Sequence, residues 1–214
     1  MVQRLQLRCH PDTPSGAFDA VMVDVRRNGG RQGARRLSVR YVLSGNLRAL
    51  KAPQHVTQKA RADDLWRHTC FEAFVRVGAS RTYHEFNLAP SGAWSCYRFD
   101  DYRSGMQSEK YVGSPAIGTF IHNDSVDAER AEELARIGLD GLENVPAPFF
   151  LLTATLDMEE TRLPLDEPWH LGLSAVIEER NGTISYWALN HPPGDPDFHH
   201  PDCFALELAP ARPA

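Results

Sequence analysis

The chain alternates apolar and polar residues in short runs rich in Val, Tyr and Phe, with Gly, Pro, Asn or Asp standing between the runs. Side chains of an extended strand point to opposite faces in turn, so an alternation of period two marks strands covered on one side. Ten such runs can be placed: Leu5 to Cys9, Phe18 to Arg26, Arg36 to Leu43, Thr69 to Val77, Thr82 to Leu88, Trp94 to Phe99, Phe149 to Leu156, His170 to Glu178, Ser185 to Ala188 and Cys203 to Leu208. Short strands at this spacing predict an all-β protein, with two antiparallel sheets packed as a β-sandwich of jelly-roll or immunoglobulin-like type. One domain over residues 1–214 is expected, since no stretch has the composition of a linker.

The turns are marked by their chemistry. Asn181-Gly182 accepts the positive φ angles of a tight hairpin turn and links the run ending at Glu179 to the strand holding Tyr186. Pro90 to Gly92 turns the chain between Thr82–Leu88 and Trp94–Phe99, making these hairpin partners. "NDSVDAERAEELARIG" departs from the strand pattern. Its Asp and Ser before an acidic first turn, its spaced apolar residues and its closing Gly138 are the ingredients of one short helix.

Charge and cysteine usage narrow the function classes. A formal net charge of -5 argues against a nucleic-acid partner. Arg26, Arg27, Arg31, Arg35 and Arg36 surround Gly29, Gly30 and Gly33, which reads as a solvated hairpin tip. The first residues lack the apolar run of a signal peptide, and no segment approaches the roughly 18 apolar residues of a membrane span, so a cytoplasmic protein with no membrane partner is expected. Cys9, Cys70, Cys96 and Cys203 form no CxxC pair and read as buried reduced thiols, with adjacency of Cys9 and Cys203 left open. Nothing in the sequence fixes an oligomeric state.

The stretch "YHEFNLAPSGAWSCYRFDDYR", Tyr83 to Arg103, holds six aromatic residues in a chain that is 9% aromatic, interleaved with charged and amide side chains. On one strand Tyr83, Glu85 and Asn87 share a face; on the next, Trp94, Cys96 and Arg98 do; on the preceding one, Glu72, Phe74 and Arg76 stand opposite an apolar face. Glu72, Glu85, Asn87 and Arg98 can then form one polar surface if the registers align. Trp66, Trp94, Tyr102 and Trp187 offer flat faces, and Arg103 a further donor. Flat aromatic faces with fixed donors and acceptors suit a polyhydroxylated ligand. The competing reading is packing, with Glu72 or Glu85 paired to Arg98 to hold two strands in register.

"DLWRHTCFEAFVRVGASRTYHEFNLAPSGAWSCYRFDDYRSGM" and "LGLSAVIEERNGTISYWALNHPPGDPDFHHPDCFALEL" carry the patterns W-x-x-x-C-x-E-x-F, Y-x-E-F-N-x-x-P-x-G-x-W and Y-W-A-L-x-H-P followed by D-F-H. In these the chain resembles the DOMON-like proteins of bacteria, relatives of family 9 carbohydrate-binding modules. The resemblance implies a β-sandwich and a role in binding without catalysis, with sugars as ligands or, in other branches, haem. The segment from Ser104 to Pro148 does not match the pattern.

The resulting expectation is non-catalytic binding of an oligosaccharide or similar small polyhydroxylated molecule. Glu72, Glu85, Asn87 and Arg98 are the polar contacts, and Trp94 and Trp187 the aromatic faces. No cofactor is required. A haem module is the alternative, for which His84 and Met106 have the residue types of axial ligands. Structural calcium also stays open, because related sugar modules carry it, although no Asp-rich calcium loop is present. Hydrolysis of glycosides is a third reading, since Glu72 and Glu85 on adjacent strands meet the roughly 5 to 10 Å separation of catalytic carboxylates. "HPPGDPDFHHPD" gathers His191, Asp195, Asp197, His199, His200 and Asp202, which invites a zinc or iron site, but three prolines do not fix the convergence of three or four ligands; the loop reads as a Pro-shaped one whose imidazoles bind backbone and fix the last strand, with no metal site expected.

Overall fold

The structure is a computed structural model, and it describes residues 2–28, 35–53, 59–123, 132, 135, 141–142 and 145–211. The described residues form twelve strands: β1 (Gln3–Cys9), β2 (Phe18–Arg27), β3 (Arg36–Gly45), β4 (Cys70–Val77), β5 (Tyr83–Leu88), β6 (Trp94–Phe99), β7 (Gln107–Ser108), β8 (Ala116–His122), β9 (Phe149–Asp157), β10 (Trp169–Glu178), β11 (Ile184–Ala188) and β12 (Leu206–Leu208). All ten expected strands occur, most within two residues of their expected bounds. The two-residue β7 and the strand β8 were not foreseen; β8 carries Gly118 at its centre, and several of its residues are exposed, which erases the alternation. The expected helix from Asn123 to Gly138 lies almost wholly outside the described residues, as does the tip of the arginine-rich hairpin.

The strands form a single antiparallel sheet in the order β7-β6-β5-β4-β10-β11-β1-β2-β3-β9-β8, with β12 added alongside β10. This corrects the expectation of two separate sheets. β1 is the reason, because it belongs to both halves. Its first part pairs with β2 from Gln3↔Val25 to Leu7↔Val21, and its last residues pair with β11 at Arg8↔Ala188 and Cys9↔Trp187. The sheet curls at this strand into a half-barrel, and its two arms face one another across the main core. Phe71 of one arm stacks on Phe150 of the other with centroids 5.8 Å apart, and the Tyr41 hydroxyl donates to the backbone oxygen of Glu72 at 2.6 Å.

A second, smaller core lies on the outer side of the β4–β5–β10–β11 arm. There Phe74, Tyr83, Tyr97, Phe99 and Val176 pack against Phe198 and Phe204 of the loop between β11 and β12. As a result every residue of β5 is buried, whichever way it points. Gly172 of β10 permits this covering: a Cβ there would lie 3.2 Å from the backbone oxygen of Cys203 and 3.3 Å from the Phe74 side chain. The loop is the roof of the candidate site.

All four cysteines are free, with Cys70, Cys96 and Cys203 buried and Cys9 half-buried. Thiol titration should find four reactive groups in denaturant, and in the native protein one fast group at most, from Cys9. Two thiols in denaturant would show a disulfide and contradict the structure.

Candidate functional site

Strand pairing decides which residues meet. Glu72 lies opposite Asn87, Phe74 opposite Glu85, and Glu85 opposite Tyr97. Paired residues share a face, so Glu72, Phe74, Arg76, Tyr83, Glu85, Asn87, Tyr97 and Phe99 all point to the outer side of this arm. β10 and β11 add Ser174 beside Glu72, and Val176 beside Tyr186. Glu72, Glu85 and Asn87 are thus brought together, as the sequence suggested.

The other three expected contacts are turned away. Leu88 pairs with Trp94 and His84 with Arg98, so both residues belong to the opposite face. Trp94 is 5% exposed in the main core, where the Arg61 guanidinium lies 4.3 Å from its ring centre. Trp187 pairs with Ala175, is 4% exposed in the same core, and donates its Nε1–H to Ser185. Arg98 reaches outward to Asp100 and touches neither glutamate, so the register-holding ion pair is not formed. His84 lies on the core side against Glu109, with Nε2 3.3 Å from its Oε2, whereas Met106 lines the outer pocket. The two residue types offered for haem ligation therefore do not face each other.

The outer face and its roof enclose a pocket of about 350 Å³. Glu72 and Glu85 are its polar floor, and Trp66, Phe99, Tyr186, Phe198 and His199 are among its walls. Ser174 Oγ donates to Glu72 at 3.1 Å, and Asn87 Nδ2 donates to Glu85 at 2.7 Å. Asn87 is itself fully buried beneath Glu85, so it orients the carboxyl without reaching the opening. Neither glutamate is bonded to a Lys or Arg side chain among the described residues. Burial, and next the charge of Glu85, holds the Glu72 carboxyl well above the usual range; burial raises Glu85 to about 7 against the pull of Asn87 and Arg103.

The roof contributes His199, which the sequence analysis named only as one of the imidazoles of this loop. His199 Nε2 lies 3.7 Å from the Glu85 carboxylate and its Nδ1 is 2.8 Å from the Tyr83 hydroxyl. Tyr83 also accepts the Arg103 backbone N–H at 3.2 Å, which directs its own proton to Nδ1 and puts the His199 proton on Nε2, facing Glu85. Burial and then the nearby Arg103 charge lower His199 to about 4, keeping it neutral. The loop read as a backbone-fixing element does this at His191, which meets the Arg8 carbonyl at 2.8 Å, while His10 reaches the Gly194 carbonyl at 3.0 Å. His199 instead faces the pocket. Among the described residues no three His, Cys, Asp or Glu side chains converge as metal ligands.

Roof and floor are clamped together. Arg103 Nη2 donates to Asp197 at 2.7 Å, and the Tyr102 hydroxyl donates to the other carboxylate oxygen. Arg103 adopts a left-handed backbone, φ 49°, in the turn after β6, a conformation that costs a non-glycine residue energy and is held by these bonds. Of the further residues raised from sequence, Trp66 and Arg103 line the pocket, and Tyr102 stands outside it at the clamp.

No protein-family model matches the chain, and no curated protein matches it. Among solved structures, the crystal structure of a putative carbohydrate-binding protein from Bacteroides uniformis shares the fold, with a TM-score of 0.54 over 94% of this chain and 83% of that one, at 12% identity.

Proposed function

We propose that the chain binds a carbohydrate, or a similar polyhydroxylated small molecule, in the pocket over Glu72 and Glu85, and that it does so without catalysis. The observation that carries this reading is the pair of buried glutamates on the pocket floor, bonded to no Lys or Arg side chain among the described residues. Burying unpaired carboxyls costs stability. Held at an opening, they offer a ligand something in return: a neutral carboxyl both donates and accepts hydrogen bonds, which is what a sugar hydroxyl also does. Trp66, Tyr186 and Phe198 add apolar faces for the C–H surfaces of a sugar ring. The Bacteroides uniformis neighbour, named for carbohydrate binding, and the motif resemblance to DOMON-like and family 9 carbohydrate-binding proteins point the same way. The contacts proposed are Glu72, Glu85, Trp66 and Tyr186, with Asn87 positioning Glu85.

Glycan-array screening followed by calorimetry tests this. Glu85→Gln should weaken the best ligand about tenfold or more, the scale of one hydrogen bond to a buried carboxyl group, and Trp66→Ala should weaken it severalfold with little change in melting temperature. Trp94→Ala should act oppositely, destabilising the fold by about 3–5 kcal/mol as large core truncations do. Wild-type affinity in both pocket variants would overturn the reading.

The raised proton affinity of Glu85 gives a second test. In the unfolded chain the group ionises near 4.5, in the folded protein near 7. Its stabilising contribution is therefore complete below pH 4.5 and is lost as the pH rises to 7 and beyond. At about 1.4 kcal/mol per tenfold change in proton affinity, the loss is of order 3 kcal/mol. Glu85→Gln should be the more stable protein above pH 7, and its advantage should vanish below pH 5. A constant difference across that range would show that Glu85 ionises as freely folded as unfolded.

A further inference from the structure

A second cavity of about 370 Å³ adjoins the first on the same outer face, bordered by Arg76, Arg81, Tyr83, Asp101, Tyr102 and His199. His199 lines both cavities, and its ring is wedged against Phe74, Tyr83 and Phe99 at centroid distances of 5.2, 5.9 and 5.0 Å. The two cavities are thus neighbouring compartments along β4. Glu72 marks the first and Arg76 the second, four residues apart, or roughly 13 Å at about 3.3 Å per strand residue.

Arg76 is the unusual group here. Its guanidinium lies over the Phe204 ring, 4.9 Å from the centre, which fixes its position. Its Nε is closed off from water and has no hydrogen-bond partner, and among the described residues no carboxylate pairs with it. Arg81, also at this cavity, is matched by Asp101 at 2.8 Å, so the positive charge left over belongs to Arg76. A charge held in place at an open cavity, with no ion pair among the described residues, is well placed to take an anion through its terminal Nη groups.

We infer that the second cavity is an anion subsite, and that the molecule spanning both compartments is an acidic saccharide whose anionic group binds at Arg76 while its hydroxyls reach Glu85. The inference rests on the saccharide reading for the first cavity, and the anionic group is a carboxylate or a phosphate ester. Both present the same paired oxygens to a guanidinium.

Calorimetry at low salt with methyl glucoside, glucuronic acid, glucose 6-phosphate and inorganic phosphate tests it, using wild type, Arg76→Gln and Glu85→Gln. An acidic sugar should bind at least about tenfold more tightly than methyl glucoside, as one charge-assisted contact provides, and Arg76→Gln should erase that advantage while leaving methyl glucoside unchanged. The larger gain, with glucuronic acid or with glucose 6-phosphate, identifies the anionic group. Should Arg76→Gln fold poorly by circular dichroism, wild type alone decides: the acidic advantage should shrink as salt approaches about 0.5 M, where charges are screened over a few ångströms. Equal affinities for neutral and acidic sugars, both lost in Glu85→Gln, would overturn the anion subsite and leave the saccharide reading intact. Arg76-dependent binding of inorganic phosphate, with no sugar sensitive to Glu85, would do the reverse.

Discussion

The covering of β4 and β5 on both faces is the constraint from which the site follows. One face serves the core between the arms of the half-barrel, where Phe71, Phe86 and Leu88 are fully buried, and the other lies beneath the roof loop. A strand buried on one face only can place its carboxylates in water. A strand covered on both sides cannot, so Glu72 and Glu85 must be neutral, bonded to neighbours, or exposed through an opening. The structure combines all three: Ser174 and Asn87 donate to them, burial favours their protonated forms, and the gap under the roof is the pocket itself.

The alternation of the strands was legible in the sequence because it depends only on chain-local geometry, and so was the sharing of a face by Glu72, Glu85 and Asn87. What the alternation does not contain is the parity of pairing between strands, which the loop length sets. Ala89 pairs with Ala93 and Glu179 with Thr183, so both hairpins close on three-residue loops whose last residue, Gly92 or Gly182, has positive φ, 86° and 91°. A two-residue turn at Asn181-Gly182 would set Trp187 opposite Val176, on the pocket side. The extra residue puts Tyr186 there instead and sends Trp187 into the core. The same arithmetic matches Glu85 with Tyr97 and leaves Arg98 and Trp94 on the far face. One residue per loop separates an aromatic wall from a core residue.

The separation of the fold into two sheets failed for a different physical reason. Packed faces look alike in sequence whether two sheets stack or one sheet curls, since each shows one apolar side. The difference is made at Arg8 and Cys9, where β1 leaves β2 and joins β11, and no apolar pattern announces a change of partner. The roof was equally silent. "HPPGDPDFHH" displays its prolines and imidazoles, but which imidazole meets Glu85 depends on contacts made across more than a hundred residues of chain.

His199 joins these parts into one device. As a cation it would sit beside Glu85 but also near Arg103, in a setting stripped of water by Phe74, Tyr83 and Phe99, and burial together with Arg103 favours the uncharged ring. The neutral ring can then do what an imidazolium cannot: accept the Tyr83 proton at Nδ1 while its Nε2–H faces the carboxyl. Tyr83 is committed in turn to the Arg103 backbone, and Arg103 to Asp197, whose carboxylate also accepts the backbone N–H of His199 at 3.1 Å. The bonds form a closed circuit from roof to floor and back. The placement of the His199 ring over Glu85 therefore depends on the turn that follows β6, where Arg103 holds its left-handed backbone. A site assembled in this way has little freedom in its roof, which limits the conformational entropy a ligand must overcome when it enters.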